Sequence, residues 1–119
     1  MRIIKMKSIK NLKLKDNEIK AINALKKTIL DLYPDAEIIL FGSKARGDYN
    51  KDSDIDILIL LGTEVNSKVE KGIIRNISDI YSKYDDVVFE TLIENKNEWL
   101  NNNLNYFIRK SINKDGISL

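Results

Sequence analysis

The stretch Asp54 to Leu61, DIDILILL, limits the fold more than any other. Beyond Asp56 it is aliphatic without interruption. A strand with one wet face alternates apolar and polar residues, so a continuous run marks a strand covered on both faces. Such a strand needs neighbours, and two shorter runs offer them. Glu37 to Phe41, EIILF, reads as a buried strand, and Val87 to Ile93, VVFETLI, as a third.

Helical spacing fills the intervals. Asp16 to Tyr33 carries Ile19, Ile22, Leu25, Ile29 and Leu32 on one stripe, with Asp16 as the expected cap and Pro34-Asp35 as the stop. Asn66 to Tyr84 places Val69, Ile73, Ile77, Ile80 and Tyr84 on one stripe, with Gly72 as a local weakness. Asn95 to Asn113 reads as helical with a break at the Asn run 101–103; Trp99, Leu104, Phe107, Ile108 and Ile112 are expected to pack inward, and Gly116 to stop the helix. Gly42 to Ser53 reads as a loop with one helical turn beginning at Ser43. At 119 residues without internal repeats, the chain is expected to form one domain over residues 1–119. Its class is α/β (α+β): a small mixed sheet with helices mainly on one face.

Composition narrows the chemistry. With no cysteine and no histidine, thiolate or imidazole metal sites and Ser-His-Asp catalysis are excluded. Catalysis must run on carboxylates, hydroxyls, Lys, Arg and bound ions. A net charge of +2 does not suggest a nucleic-acid coat, so direct nucleic-acid binding is not expected. Residues 1–15, MRIIKMKSIKNLKLK, hold six Lys or Arg and no acid, and read as a basic arm or an edge strand. No signal-peptide core and no membrane-spanning apolar stretch is present, so a cytoplasmic location is expected.

Two carboxylates open the strongest strand. Residues two apart in a strand share a face, so Asp54 and Asp56 project together. Side by side they repel, unless a cation lies between them. Mg2+ suits this arrangement because it accepts few protein carboxylates and completes its shell with water and phosphate oxygens. Just upstream, Gly42-Ser43 in FGSKARG follows a strand; its backbone N–H groups can cradle an anion, Gly42 allows close approach, and Lys44 or Arg46 can add positive charge. Phosphate on one side and carboxylate-bound Mg2+ on the other is the combination that phosphoryl and nucleotidyl transfer require. A third acid would complete the set. Asp86 and Glu90 share parity but lie about 13 Å apart along the strand, so one at most can join. Asp86 has a turn-forming role available to it; Glu90, mid-strand, is the favoured candidate.

GSKARGDYNKDSDIDILIL resembles the signature of the DNA polymerase beta-type nucleotidyltransferase superfamily, and is most similar to its single-domain minimal nucleotidyltransferases. The ending ENKNEWLNNNLNYFIRKSINKDGISL is similar to the family's last helical segment. The resemblance implies a polymerase beta-like palm fold. It implies that Gly42 and Ser43 hold the phosphates of ATP, that Asp54 and Asp56 bind two Mg2+ ions, that Arg46 contacts phosphate or a partner, and that Glu90 is the third acid, a metal ligand and catalytic with the pair. It further implies a HEPN-domain toxin as partner and an antitoxin role for this chain, exercised by transferring AMP to a tyrosine of the toxin or, alternatively, by masking it as a non-catalytic binding module. Self-association of the small domain is a further expectation.

Overall fold

A computed structural model describes residues 12–47, 54–101 and 106–119. Most of the basic arm, the Leu104 position and the loop after Gly47 lie outside the described residues. Helix α1 (Asp16–Leu32) begins at an N-cap that is Lys15, not Asp16. The Glu18 carboxylate accepts from the Lys15 N–H at 2.9 Å, and Asp16 becomes the first helical residue, where its charge still suits the positive end of the helix. Strand β1 (Glu37–Phe41) runs directly into the short helix α2 (Gly42–Arg46), one residue earlier than the turn expected at Ser43. Strand β2 (Ile55–Leu61), helix α3 (Ser67–Tyr81) and strand β3 (Phe89–Asn95) follow. The Asn66 side chain caps α3 by accepting from the Val69 N–H at 3.0 Å. Helix α4 (Lys96–Asn101), helix α5 (Tyr106–Asp115) and the two-residue strand β4 (Ile117–Ser118) complete the order.

The sheet runs β3-β2-β1-β4, with β1 antiparallel to both neighbours and β2 parallel to β3. Central β2 is covered on both faces, which is why its apolar run is continuous. Ile55, Ile57, Ile59 and Leu61 join Ile38, Leu40, Phe89 and Ile93 beneath the long helices, where Ile22, Leu25 and Ile29 of α1 and Ile73, Ile77 and Ile80 of α3 are buried. Leu58 and Leu60 face the other way with Ile39, against Trp99 of α4 and Ile112 of α5. The larger core therefore sits on one face, and two short helices close the opposite one. No described helix is long and apolar enough to cross a membrane.

The third strand starts two residues later than its apolar run and ends at Asn95, whose side chain accepts from the N–H groups of Asn97 and Glu98 and so starts α4. Two inward assignments on α5 are overturned. Phe107 is 83% exposed and Ile108 40%. Ile112 points into the sheet, and Phe107, five residues earlier, is rotated roughly 140° away from it. Ile108 shares the side of Ile112 but lies a turn further along. Leu32, at the last residue of α1, is likewise exposed at 48%.

Candidate active site

The sheet register assembles the candidate acids. Asp56 stands opposite Phe41 across β1–β2 and opposite Glu90 across β2–β3. Adjacent strands are about 4.8 Å apart, so the Asp56 and Glu90 side chains emerge side by side on one face. That face is the one α4 and α5 cover only further along, over Leu58 and Leu60. Asp54, exposed just before β2, completes the group on the Asp56 side. Asp86 does not join it: it sits in the left-handed region at φ 63° in the turn before β3. The parity of the strand allowed either acid, and the register sets the favoured one, Glu90, opposite Asp56.

Charges of both signs meet at Asp56. Burial is the largest influence on its carboxyl and pushes its pKa above the usual carboxylate value. The neighbouring negative charges of Glu90 and then Asp54 push it the same way, while Arg46 at the end of α2 pulls it down. The four groups therefore share one electrostatic environment, and it is short of positive charge.

Gly42 shapes the other wall. Its φ is +74°, and a side chain on it would run into the Asp56 carboxylate. The glycine is thus required twice, for its left-handed backbone and for the approach of Asp56, where the sequence suggested only the approach of a ligand. Ser43 follows in the first turn of α2, half-buried, and its carbonyl accepts from the Gly47 N–H at 2.8 Å. Gly47, at φ +87°, ends the helix in the left-handed conformation.

Lys44 is corrected. As a candidate phosphate cation it should be accessible, yet it is fully buried, and its Nζ donates to the Glu18 Oε2 at 2.7 Å. The sequence held a signal for this. Glu18 lies one helical turn before Ile22 on the buried stripe of α1, and an acid on an apolar stripe demands a cation. Arg46, exposed, remains on the open side.

The donor set fits Mg2+. Among the described residues no three carboxylates converge into a complete cage. Mg2+ needs none: one or two carboxylates suffice, with water and phosphate oxygens filling its octahedron. Asp54 and Asp56 would supply those carboxylates, and their negative charge stands beside that of Glu90. A separate cavity of about 520 Å3, lined by Glu37, Leu60, Trp99 and Arg109 among others, lies toward the opposite end of the same sheet face and includes none of these acids.

A glycine turn at the end of one strand, facing paired carboxylates on the next two, defines the nucleotidyl-transfer class of site. Residues 22–113 match the family described as nucleotidyltransferase domain, and the chain belongs to that family. Two Methanocaldococcus jannaschii proteins, both provisionally named protein adenylyltransferases, are similar to it. One is 40% identical over 80 residues, covering 66% of this chain and 80% of the relative. The other is 33% identical over 102 residues, covering 84% and 95%. A crystal structure of a Sulfolobus solfataricus protein, provisionally titled a nucleotidyltransferase, aligns at TM-score 0.44 and 23% identity over 89% of this chain and 88% of that one. The family membership makes this protein a transferase acting on a nucleotide substrate.

Proposed function

We propose that the protein transfers AMP from ATP to a tyrosine hydroxyl of a partner protein, in a Mg2+-dependent reaction, and that the partner is a HEPN-type toxin inactivated by the modification. The observation that carries the chemistry is the pairing of Asp56 with Glu90 across β2–β3, directly beside the Gly42-Ser43 turn. The names of the two archaeal relatives support a protein acceptor.

In this reading the Gly42-Ser43 turn binds the triphosphate through backbone N–H groups and the Ser43 hydroxyl. Arg46 adds positive charge. Asp54 and Asp56 would hold Mg2+, which when bound offsets the triphosphate charge and acidifies the attacking hydroxyl. The acceptor oxygen bonds to the α-phosphorus, the bond from that phosphorus to the β-phosphate bridge breaks, and pyrophosphate leaves. Glu90, exposed beside Asp56, accepts the hydroxyl proton.

A second reading has its own support. Tyr106, Phe107 and Ile108 are exposed at 49%, 83% and 40% in the first turn of α5, an apolar patch of the kind a binding module presents. In that reading the domain masks its partner without modifying it. One variant separates the two. Asp54→Asn with Asp56→Asn, incubated with labelled ATP, Mg2+ and the partner, should leave the fold intact and abolish label transfer. A double variant that transfers label normally would refute the enzymatic reading; one that loses transfer yet still neutralises the partner would establish masking.

A further inference from the structure

We infer that Lys44 and Glu18 are positioning residues for the phosphate-facing turn: their buried ion pair fixes the orientation in which Gly42, Ser43 and Arg46 meet a nucleotide. The inference rests on the nucleotidyl-transfer reading of that turn. Helix α2 has only five residues, too few to be stable as an isolated helix, and no side chain caps its N-terminus. Its orientation must come from what it is tied to. Two of its side chains are buried, Ala45 at 8% exposure and Lys44 at 0%. Lys44 is the longer tether. It crosses from α2 to the first turn of α1, where its Nζ meets the Glu18 Oε2 at 2.7 Å. The other oxygen of Glu18 accepts from the Lys15 N–H at 2.9 Å. One carboxylate thus joins the start of α1 to the middle of α2.

The placement within α2 gives the tether its consequence. Lys44 follows Ser43 directly and precedes Arg46 by two residues, and successive helical residues turn by about 100°. With Lys44 directed inward, Ser43 and Arg46 are held at set angles on the more open side. If the pair slipped, Gly42 would also shift against the Asp56 carboxylate that fills the space over it. Stability alone does not account for this pair. Replacing a buried ion pair with apolar residues of similar volume is commonly neutral or stabilising, because both charges lose their hydration. What a charged, hydrogen-bonded pair adds over two apolar side chains is one definite geometry.

The test is Glu18→Met with Lys44→Met, read by calorimetric titration with Mg2+ and ATP alongside thermal unfolding. The expected result is an unchanged or raised unfolding temperature together with roughly ten- to hundredfold weaker Mg-ATP binding, the range seen when residues that orient direct ligands are removed. Lys44→Arg, which keeps the charge, should recover most of the affinity. Glu18→Gln keeps an acceptor for the Lys15 N–H but removes the carboxylate charge facing the buried Lys44, so it is expected to lower the unfolding temperature. It should also weaken binding, at a temperature where it is fully folded. A folded double variant or Glu18→Gln variant that binds Mg-ATP as tightly as the parent would overturn the positioning role alone. A parent protein that binds no Mg-ATP would overturn the nucleotide site itself, and this inference with it.

Discussion

Gly42→Ala is the sharpest test of how the site is built. Alanine at φ +74° costs about 1–2 kcal/mol, because Cβ crowds the following carbonyl in the left-handed region. The added methyl also meets the Asp56 carboxylate, which must leave its preferred rotamer at a further cost of about 0.5–1.5 kcal/mol. The sum is about 1.5–3.5 kcal/mol, roughly a 10 °C fall in midpoint for a domain of this size. The functional loss should be larger than the stability loss suggests. In the proposed reaction Asp56 would be displaced at the metal it holds, and a misplacement of about 1 Å costs on the order of a hundredfold in rate. A double-mutant cycle with Asp56→Ala separates the two terms. Without the carboxylate, Gly42→Ala should cost only its backbone share, so the two substitutions couple by about 1 kcal/mol in urea unfolding. Equal cost in both backgrounds, or full transfer activity in Gly42→Ala, would refute this account of the wall.

Two further outcomes follow from the geometry. The Asp56 carboxyl titrates above its ordinary value because folding buries it and brings Glu90 and Asp54 beside it, so the folded state holds this proton more tightly than the unfolded chain does. Its contribution to stability is therefore present at low pH and is lost as pH rises from the usual carboxylate value through the raised folded one. Asp56→Asn should remove that decline and stabilise the metal-free protein at neutral pH, while Mg2+ should raise the unfolding temperature of the parent and not of the variant. The Tyr81 hydroxyl donates to the Phe89 carbonyl at 3.1 Å and accepts from the Phe89 N–H at 2.9 Å, holding the outer edge of β3 next to Glu90. Tyr81→Phe leaves both groups without that partner; a loss of about 1–2 kcal/mol is expected, with faster amide exchange at Phe89 and little change elsewhere.

Much of the fold was legible because hydrophobic period and strand length agreed. The continuous run after Asp56 announced two-sided burial, and the two faces prove to be separate cores. The stripes of α1 and α3 announced which sides face inward. What escaped depended on tertiary pairing. Strand β4 is two residues long, too short for any period to show, and exists because Ile117 and Ser118 lie beside Leu40 and Ile39. One stripe read across residues 95–113 hid the phase of α5, which turns Phe107 outward. At the site, parity placed Asp54 and Asp56 together and allowed both Asp86 and Glu90; the turn-forming role open to Asp86 favoured Glu90, and the parallel register sets Glu90 opposite Asp56. Lys44 was misplaced because a lysine beside a glycine turn reads as a phosphate contact. Only the acid on the inner stripe of α1 shows that it is needed elsewhere.

The chain's single tryptophan gives the smaller core an optical signature. Trp99 is 3% exposed against Ile39, Leu58 and Leu60, so its emission should lie toward the blue in the folded protein and shift to the red when α4 and α5 detach. Leu60 is about 13 Å along the strand from Asp56, so the indole stands away from the acids. Nucleotide or metal arriving at the carboxylates should barely alter its spectrum. A ligand entering the cavity that Trp99 lines, or a partner prying at α5, should change it at once. Fluorescence on the unlabelled protein can therefore tell which end of the sheet a bound molecule has reached.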